Sequence, residues 1–277
     1  MLPDVPDLVP TTETETETET HEVKPERPPP IFPDDISNLV VWLDAAQGVR
    51  EGRDFRWEDR SGAGNHATNV VTLYPTLGAD AARGNLPYVH FGGLGEHLSL
   101  PSGFADFRRG LSLFLVVRLD VSPGTDRNAP FIDLSPAAGS VVDSIVFSRS
   151  GDGDDGLAFL PRKGSVFFPA TPINSTVETG VWTLLSLVAS GGEPGMVAGY
   201  SIYQGGTAVA SDAPCYVPKV IERTSNYIGR SNRFIPGGPA DAYFHGDLAT
   251  LILFDRALPE EERRAVEMYL VGKWKLH

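Results

Sequence analysis

From Asn38 onward the chain is a succession of short apolar-rich runs broken by Gly, Pro, Asn and Asp, a pattern that predicts an all-β body. The runs that read as strands are Leu39–Leu43, Tyr88–Phe91, Leu111–Leu119, Ser144–Phe147, Ser165–Phe168, Trp182–Ala189, Val197–Tyr203, Thr207–Ala210, Asn226–Ile228 and Leu248–Phe254. Leu111–Leu119 and Trp182–Val188 are apolar on both alternations, as strands covered on both faces should be. Gln204-Gly205-Gly206 reads as a tight hairpin, because glycine adopts positive φ without Cβ strain. Strands do not alternate with helices, so a parallel sheet is not expected.

One helix is legible, at the C-terminus. Pro259 suits a first helical turn, where its missing N–H is no loss, and Glu260, Glu261 and Glu262 follow at the positive end of the helix dipole. The spacing places Ala265, Met268 and Tyr269 on one face, widened by Val266 and Leu270. Lys273 and Lys275 sit near the negative end, and Trp274 is expected to anchor the chain end to the body.

Ahead of the body the composition changes. Residues 1–33 hold eight of the 23 prolines and a Glu-Thr repeat over residues 13–20. Alternating Glu repel one another and Thr offers no apolar face, so residues 11–30 read as a solvated spacer. In the first ten residues Leu2, Val5, Leu8 and Val9 are spaced by Pro3, Pro6 and Pro10. They read either as an extended peptide that docks on a partner or as a frayed end. The division is thus an extended arm and linker over 1–35 and a single sandwich domain over 36–277.

Charge follows the same division. Ten acids against Lys24 and Arg27 give residues 1–35 a net −8 of the chain's −13. That balance, with no Lys or Arg run, argues against a nucleic acid partner. No apolar stretch approaches a membrane span, so membrane insertion is not expected. The start lacks the basic and apolar regions of a secretory signal, so an extracellular protein would not leave by that route. Cys215 is alone, which removes intrachain disulfides and thiol metal sites from consideration.

Motifs for chemistry are few. Gly151-Asp152-Gly153-Asp154-Asp155-Gly156 matches GxGxxG, but three Asp would repel a pyrophosphate and Leu157–Leu160 reads as a strand where a helix is needed. Asp152, Asp154 and Asp155 offer hard oxygens and make the loop a candidate Ca2+ site, although a polar hairpin tip explains them equally well. It is not an EF-hand, since Lys163 stands at the twelfth position. His90 and His97 flank a glycine turn, without metal-ligand spacing. Glu58 and Asp59 are adjacent on a strand and diverge. No GxSxG, HExxH or Walker motif is present, and the chain is not expected to be an enzyme.

Three stretches together resemble a LamG-like (concanavalin A-like) jelly-roll domain of bacterial or phage type. They are Leu39–Asp44 with Trp57–Asn65, Tyr88–Gly93 with Glu96–Leu100, and Phe244–Leu258 followed by the helix ending Tyr269-Leu-Val-Gly-Lys-Trp274. The resemblance implies a two-sheet antiparallel jelly-roll sandwich with ligands at the loop rim or on the concave sheet. Gly92 and Thr250 stand where the family usually or often has an acid. Within the matching turns, Gly62 and Gly64 suit tight turns, Asp59 and Asn65 suit backbone bonding, and Trp42 and Phe91 suit the core.

Two compatible functions follow. One is a surface-glycan-binding module, for which Tyr74, Tyr200, Tyr203 and Tyr243 read either as platforms for sugar rings or, equally well, as packed side chains. The other is a displayed part of a larger protein assembly, such as a virion decoration or fibre protein, tethered by the arm and made in the cytoplasm. The alternatives are a free lectin or, with less support, a glycan-active hydrolase.

Overall fold

Alternating burial along paired strands sorts the chain into two antiparallel sheets. The structure is a computed structural model and describes residues 31–69, 72–120, 129–150, 156–168, 177–233 and 243–276. In chain order the first strands are β1 (Leu39–Asp44), β2 (Val49–Arg50), β3 (Arg56–Trp57), β4 (Ala67–Thr68), β5 (Thr76–Asp80), β6 (Leu86–Gly92), β7 (Leu98–Leu100) and β8 (Leu111–Leu119). The rest are β9 (Pro130–Ser135), β10 (Ile145–Ser150), β11 (Gly156–Pro161), β12 (Trp182–Ala189), β13 (Val197–Gln204), β14 (Thr207–Tyr216), β15 (Ser225–Ile228) and β16 (His245–Phe254). Among the described residues the one α-helix, α1 (Glu260–Trp274), follows β16.

The first sheet runs β14-β13-β12-β8-β16-β6-β5, with β1 also paired to β16, and the second runs β11-β10-β9-β15-β7-β4-β3-β2. This is the two-sheet antiparallel jelly-roll sandwich that the resemblance implies. Leu113, Leu115 and Val117 of β8 pack between the sheets with Phe91, Phe131, Phe147 and Phe244. The outer face of the first sheet carries a second apolar layer beneath α1. There Trp42 meets Tyr269 edge-on at 6.0 Å and Phe114 meets Phe254 at 6.2 Å.

The residues of α1 that pack inward are Val266, Leu270 and Trp274, with the ion pair Arg263–Glu267 beside them. Met268 is 71% exposed, a correction to the expected face. Positions 263, 266, 270 and 274 follow the helical period more closely than the stripe through Met268 does. Pro259 precedes the helix in extended backbone, ψ 161°, where it ends the β16 connection. Trp274 does anchor the end: its Nε1 donates to Thr250 Oγ1 at 2.9 Å. Asp44, fully buried, accepts hydrogen bonds from Arg60 at 3.1 Å and from Lys273, which ties β1 to both the following turn and the helix.

The turns follow the expected chemistry. Gly205 and Gly206 have φ of 57° and 82°, so the β13–β14 hairpin needs glycine at both positions. Asp59 accepts from the backbone N–H groups of Trp42, Ser61 and Asn65, and Asn65 Nδ2 donates to the Val40 carbonyl. Ser165–Phe168 is not a strand. Gly164, φ 62°, turns the chain back so that Lys163 and Val166 form only an isolated bridge.

Thr250→Val should leave the buried indole N–H of Trp274 unpaired and cost about 1–3 kcal/mol, whereas Trp274→Ala should cost about 3–5 kcal/mol. Equilibrium urea unfolding measures both, and equal losses would mean that the indole hydrogen bond, not the packing, seats the helix.

Candidate functional site

Helix α1 covers only part of the first sheet's outer face. Strand β16 carries a bulge between Leu248 and Thr250, so Asp247, opposite Arg118, and Thr250, opposite Val116, lie on the same face. On the Thr250 side the face is apolar and lies under the helix. On the Asp247 side it is polar and aromatic and carries Tyr88 and His90 from β6, Arg118 from β8, Trp182 from β12 and His245 from β16. This part lies at the end of the sheet where β8 finishes and β12 and β16 begin, and Asp120 N–H is bonded to the His245 carbonyl there.

The side chains form one stack. The Arg118 guanidinium lies 5.0 Å from the ring centroids of both Tyr88 and Trp182, whose own centroids are 5.6 Å apart. Asp247, almost fully buried, accepts from Arg118 Nε at 2.7 Å, while its other oxygen lies 2.8 Å from His90 Nδ1. Burial works against the Arg118 charge, but the Asp247 hydrogen bond and charge outweigh it and raise its pKa above the ordinary arginine value. Trp182 Nε1 donates to Asp80 Oδ2 at 2.7 Å and fixes the indole plane. Tyr88 lies flat over Gly78, where a Cβ would come within 2.4 Å of the ring, so glycine is required there. His245 and Asp120 continue the polar edge at 3.4 Å. Leu86, Val116, Trp274 and Leu276 line a small cleft against Trp182, together with Asp80 and Arg83.

Such a surface carries two half-buried aromatic rings held rigid, edged by Asp80, His90, Asp120 and His245. Sugars present apolar C–H faces and hydroxyl edges, and rings held in place by hydrogen bonds lose little entropy on binding. Arg118 is engaged by Asp247 and by both rings, so it acts as a brace.

The expected platforms fall elsewhere. Tyr200 is buried against Phe159, and Arg263 covers the Tyr203 ring at 3.8 Å. Tyr74 is packed against the core, and Tyr243 sits 6.0 Å from the buried His97. His90 and His97 do not meet: the first belongs to the stack and the second packs on Tyr227 of the other sheet. Trp182 and Tyr88 escape sequence reading because they lie on strands whose neighbours are apolar, and only the register brings them together. Asp152, Asp154 and Asp155, and Leu2, Val5, Leu8 and Val9, lie outside the described residues. Among the described residues no group of three His, Cys, Asp or Glu could hold a metal ion.

A second polar cluster lies on the other sheet. Asp133, fully buried, accepts from the backbone N–H of Asn232 at 2.7 Å and from its Nδ2 at 3.0 Å. Burial pushes its carboxyl up to about 6, against the Asn232 hydrogen bonds and the Arg162 charge. Burial likewise pushes the Cys215 thiol up to about 12, which makes it a poor nucleophile. Because Asp133 keeps its proton in the folded state up to about pH 6, against an ordinary value of 3.8, folding takes up a proton between those values. The stability it contributes is full below pH ~4 and is lost as pH rises through ~6. Between pH 7 and pH 4 the wild type should therefore gain on the order of 3 kcal/mol relative to Asp133→Asn. Denaturant unfolding of both proteins across that range tests this, and parallel curves would refute it.

A search of curated protein sequences finds no match. Among solved structures, domain 4 of AbnA, a GH43 extracellular arabinanase from Geobacillus stearothermophilus, in complex with arabinotriose, is similar with a TM-score of 0.56. It shares 17% identity, over 83% of this chain and 98% of that one. Trypanosoma rangeli sialidase in complex with sialic acid is similar at a TM-score of 0.55 and 18% identity, over 88% of this chain. The chain spans only about a third of the sialidase, 35% of its length. At these identities the likeness is one of fold. The sequence itself matches the Laminin_G_3 family model over residues 91–262, from the end of β6 into α1, and the chain thereby belongs to the concanavalin A-like lectin/glucanases superfamily.

Proposed function

We propose that the protein is a non-enzymatic glycan-binding module, and that the Trp182–Arg118–Tyr88 stack is its sugar platform. The observation that carries this reading is the bracing of the two rings by Arg118, Asp247, Asp80 and the glycine at position 78. The domain bound to arabinotriose shares the fold, which supports a carbohydrate ligand. A binding role suits the platform's acids better than a catalytic one. Asp247 is taken up by Arg118 and His90, and Asp80 by Trp182 and Arg83. Asp80, Asp120 and Asp247 outnumber Arg83 and Arg118, so the ligand is a neutral sugar and not an acidic one.

The finer part of the proposal concerns display. Residues 1–10 attach the domain to a larger assembly, residues 11–30 act as spacer, and a virion decoration or fibre protein is the kind of assembly intended. Its support is compositional: an apolar, proline-spaced tip ahead of a self-repelling Glu-Thr segment. The sandwich has its own opening strand and closing helix and does not need the arm to fold.

Glycan-array screening followed by titration calorimetry tests the platform. Trp182→Ala should weaken binding of the best neutral oligosaccharide at least tenfold, about 1.4 kcal/mol, and Trp182→Phe should retain part of it. Undiminished binding by Trp182→Ala moves the site off this sheet. For the arm, removal of residues 1–30 should leave circular dichroism and sugar affinity unchanged and abolish co-purification with the parent assembly. Unchanged occupancy would place attachment on the sandwich. The cut falls before Phe32, whose ring packs on Tyr269 at 5.5 Å.

A further inference from the structure

Two tight turns of the chain meet beside Trp182. At the first, Asp80 caps a short 3-10 turn, Ala81–Arg83, by accepting the Ala82 N–H at 3.0 Å. Gly84, φ 74°, then sends the chain back into β6 at Leu86. At the second, Lys275, φ 51°, ends α1, and Leu276 folds back with its N–H on the Val271 carbonyl at 3.1 Å. Arg83 joins the two turns. Its Nη1 donates to the Trp274 carbonyl at 3.2 Å and to the Lys275 carbonyl, while Lys275 Nζ donates to the Arg83 carbonyl at 3.4 Å. Between the turns lies the small cleft whose walls include Leu86, Trp182, Trp274 and Leu276.

We infer that this cleft receives the acetamido group of a sugar, so that the ligand is a neutral N-acetylated amino sugar. The inference rests on the platform reading and deepens it by naming the ligand's class. Continuity comes first: Trp182 is both a ring of the stack and a wall of the cleft. Size comes next. The empty space is about 190 Å³ with open solvent included, below the ~300–1,000 Å³ of a site that encloses a whole ligand. The cleft therefore takes a substituent while the sugar ring stays outside it.

The chemistry of the walls selects the substituent. They are apolar except for Asp80 and Arg83, whose side chains keep 12% and 21% of their surface exposed. Arg83 uses Nη1 on the helix end and Nε toward Asp80, and its Nη2 has no hydrogen-bond partner among the described residues. Asp80 Oδ2 accepts from the Trp182 indole, while Oδ1 accepts only the Ala82 N–H, which leaves it a lone pair. An acetamido group brings a methyl for the apolar walls, a carbonyl oxygen for Arg83 and an N–H for Asp80. A hydroxyl leaves the walls unfilled, and the methyl of a 6-deoxy sugar leaves both polar groups unused. A carboxylate sets a second negative charge beside Asp80. The walls are already held by hydrogen bonds at both turns, so little ordering is needed on binding.

Titration calorimetry with matched pairs of oligosaccharides tests the inference. Each pair shares its linkages and differs at one carbon, acetamido in one member and hydroxyl in the other, in the glucose and galactose series. In the better-bound series the wild type should favour the acetamido member by about tenfold or more, as expected for a filled methyl pocket. Leu86→Phe, which fills the cleft, should bring the two members within about twofold of each other, because the gain of roughly tenfold belongs to the cleft. Should that variant lose its circular dichroism or bind neither member, Leu276→Phe takes its place. Equal binding by the wild type, tighter binding of 6-deoxy sugars or a preference that survives filling of the cleft would overturn the inference and leave the platform standing. If the wild type binds no neutral sugar, the platform reading itself fails and the inference falls with it.

Discussion

The bulge in β16 is the constraint on which the outer face of the first sheet depends. Residues 245–248 pair with β6 and residues 250–254 pair with β1, while β8 runs along the other edge of both halves. Without the extra residue, alternation would put Asp247 and Thr250 on opposite faces. With it, both face outward, one toward Arg118 and one toward the indole of Trp274. A one-residue slip would bury the acid between the sheets and break the helix contact in the same step. Helix docking and platform chemistry are therefore coupled through a single backbone irregularity.

The two halves of that face solve different problems. Under α1, Trp42, Phe114, Ile252 and Phe254 need cover, and the helix supplies it with Val266, Leu270 and Trp274. Asp44 would be a costly buried charge alone, but Lys273 and Arg60 both reach it, so helix closure also completes that ion cluster. Beyond the helix end the aromatic rings are held in place by hydrogen bonds and by close packing on their neighbours. Trp182 is held by Asp80 and Tyr88 lies over a glycine, so the rings stay half-open with little rotamer freedom.

Much of the fold is legible in the sequence because it rests on local signals. Leu111–Leu119 reads as a doubly covered strand, the Gly205-Gly206 pair as a hairpin, and the Asp59–Asn65 turn as backbone bonding. The short strands β2, β3 and β4 have two residues each and no period to detect. Strand β9 is masked by its own Pro130 and Asp133, residues that ordinarily count against a strand. The platform is illegible for a different reason. Trp182, Arg118, Asp247, His90 and Tyr88 are up to 159 positions apart between Tyr88 and Asp247, and only sheet register and a bulge that no propensity encodes bring them together. Of the tyrosines chosen by residue type alone, Tyr200 is buried, whereas Tyr74, Tyr203 and Tyr243 are half-buried, as Tyr88 and Trp182 are, and lie outside the stack.

The placement of the stack relative to the start of β1 bears on display. The stack lies where β16 begins, beside Asp120, and β1 starts where β16 ends, with Asn38 bonded to Asp255. Ten residues of strand separate those ends by about 30 Å. A domain held through its arm, as proposed, would thus turn these rings away from the attachment. The reverse placement, with rings and arm at one end, would set the spacer and its Glu residues across the mouth of the platform. On the proposed reading, separation of the rings from the arm lets both be engaged at once, and attached copies would add individually weak contacts into a multivalent grip.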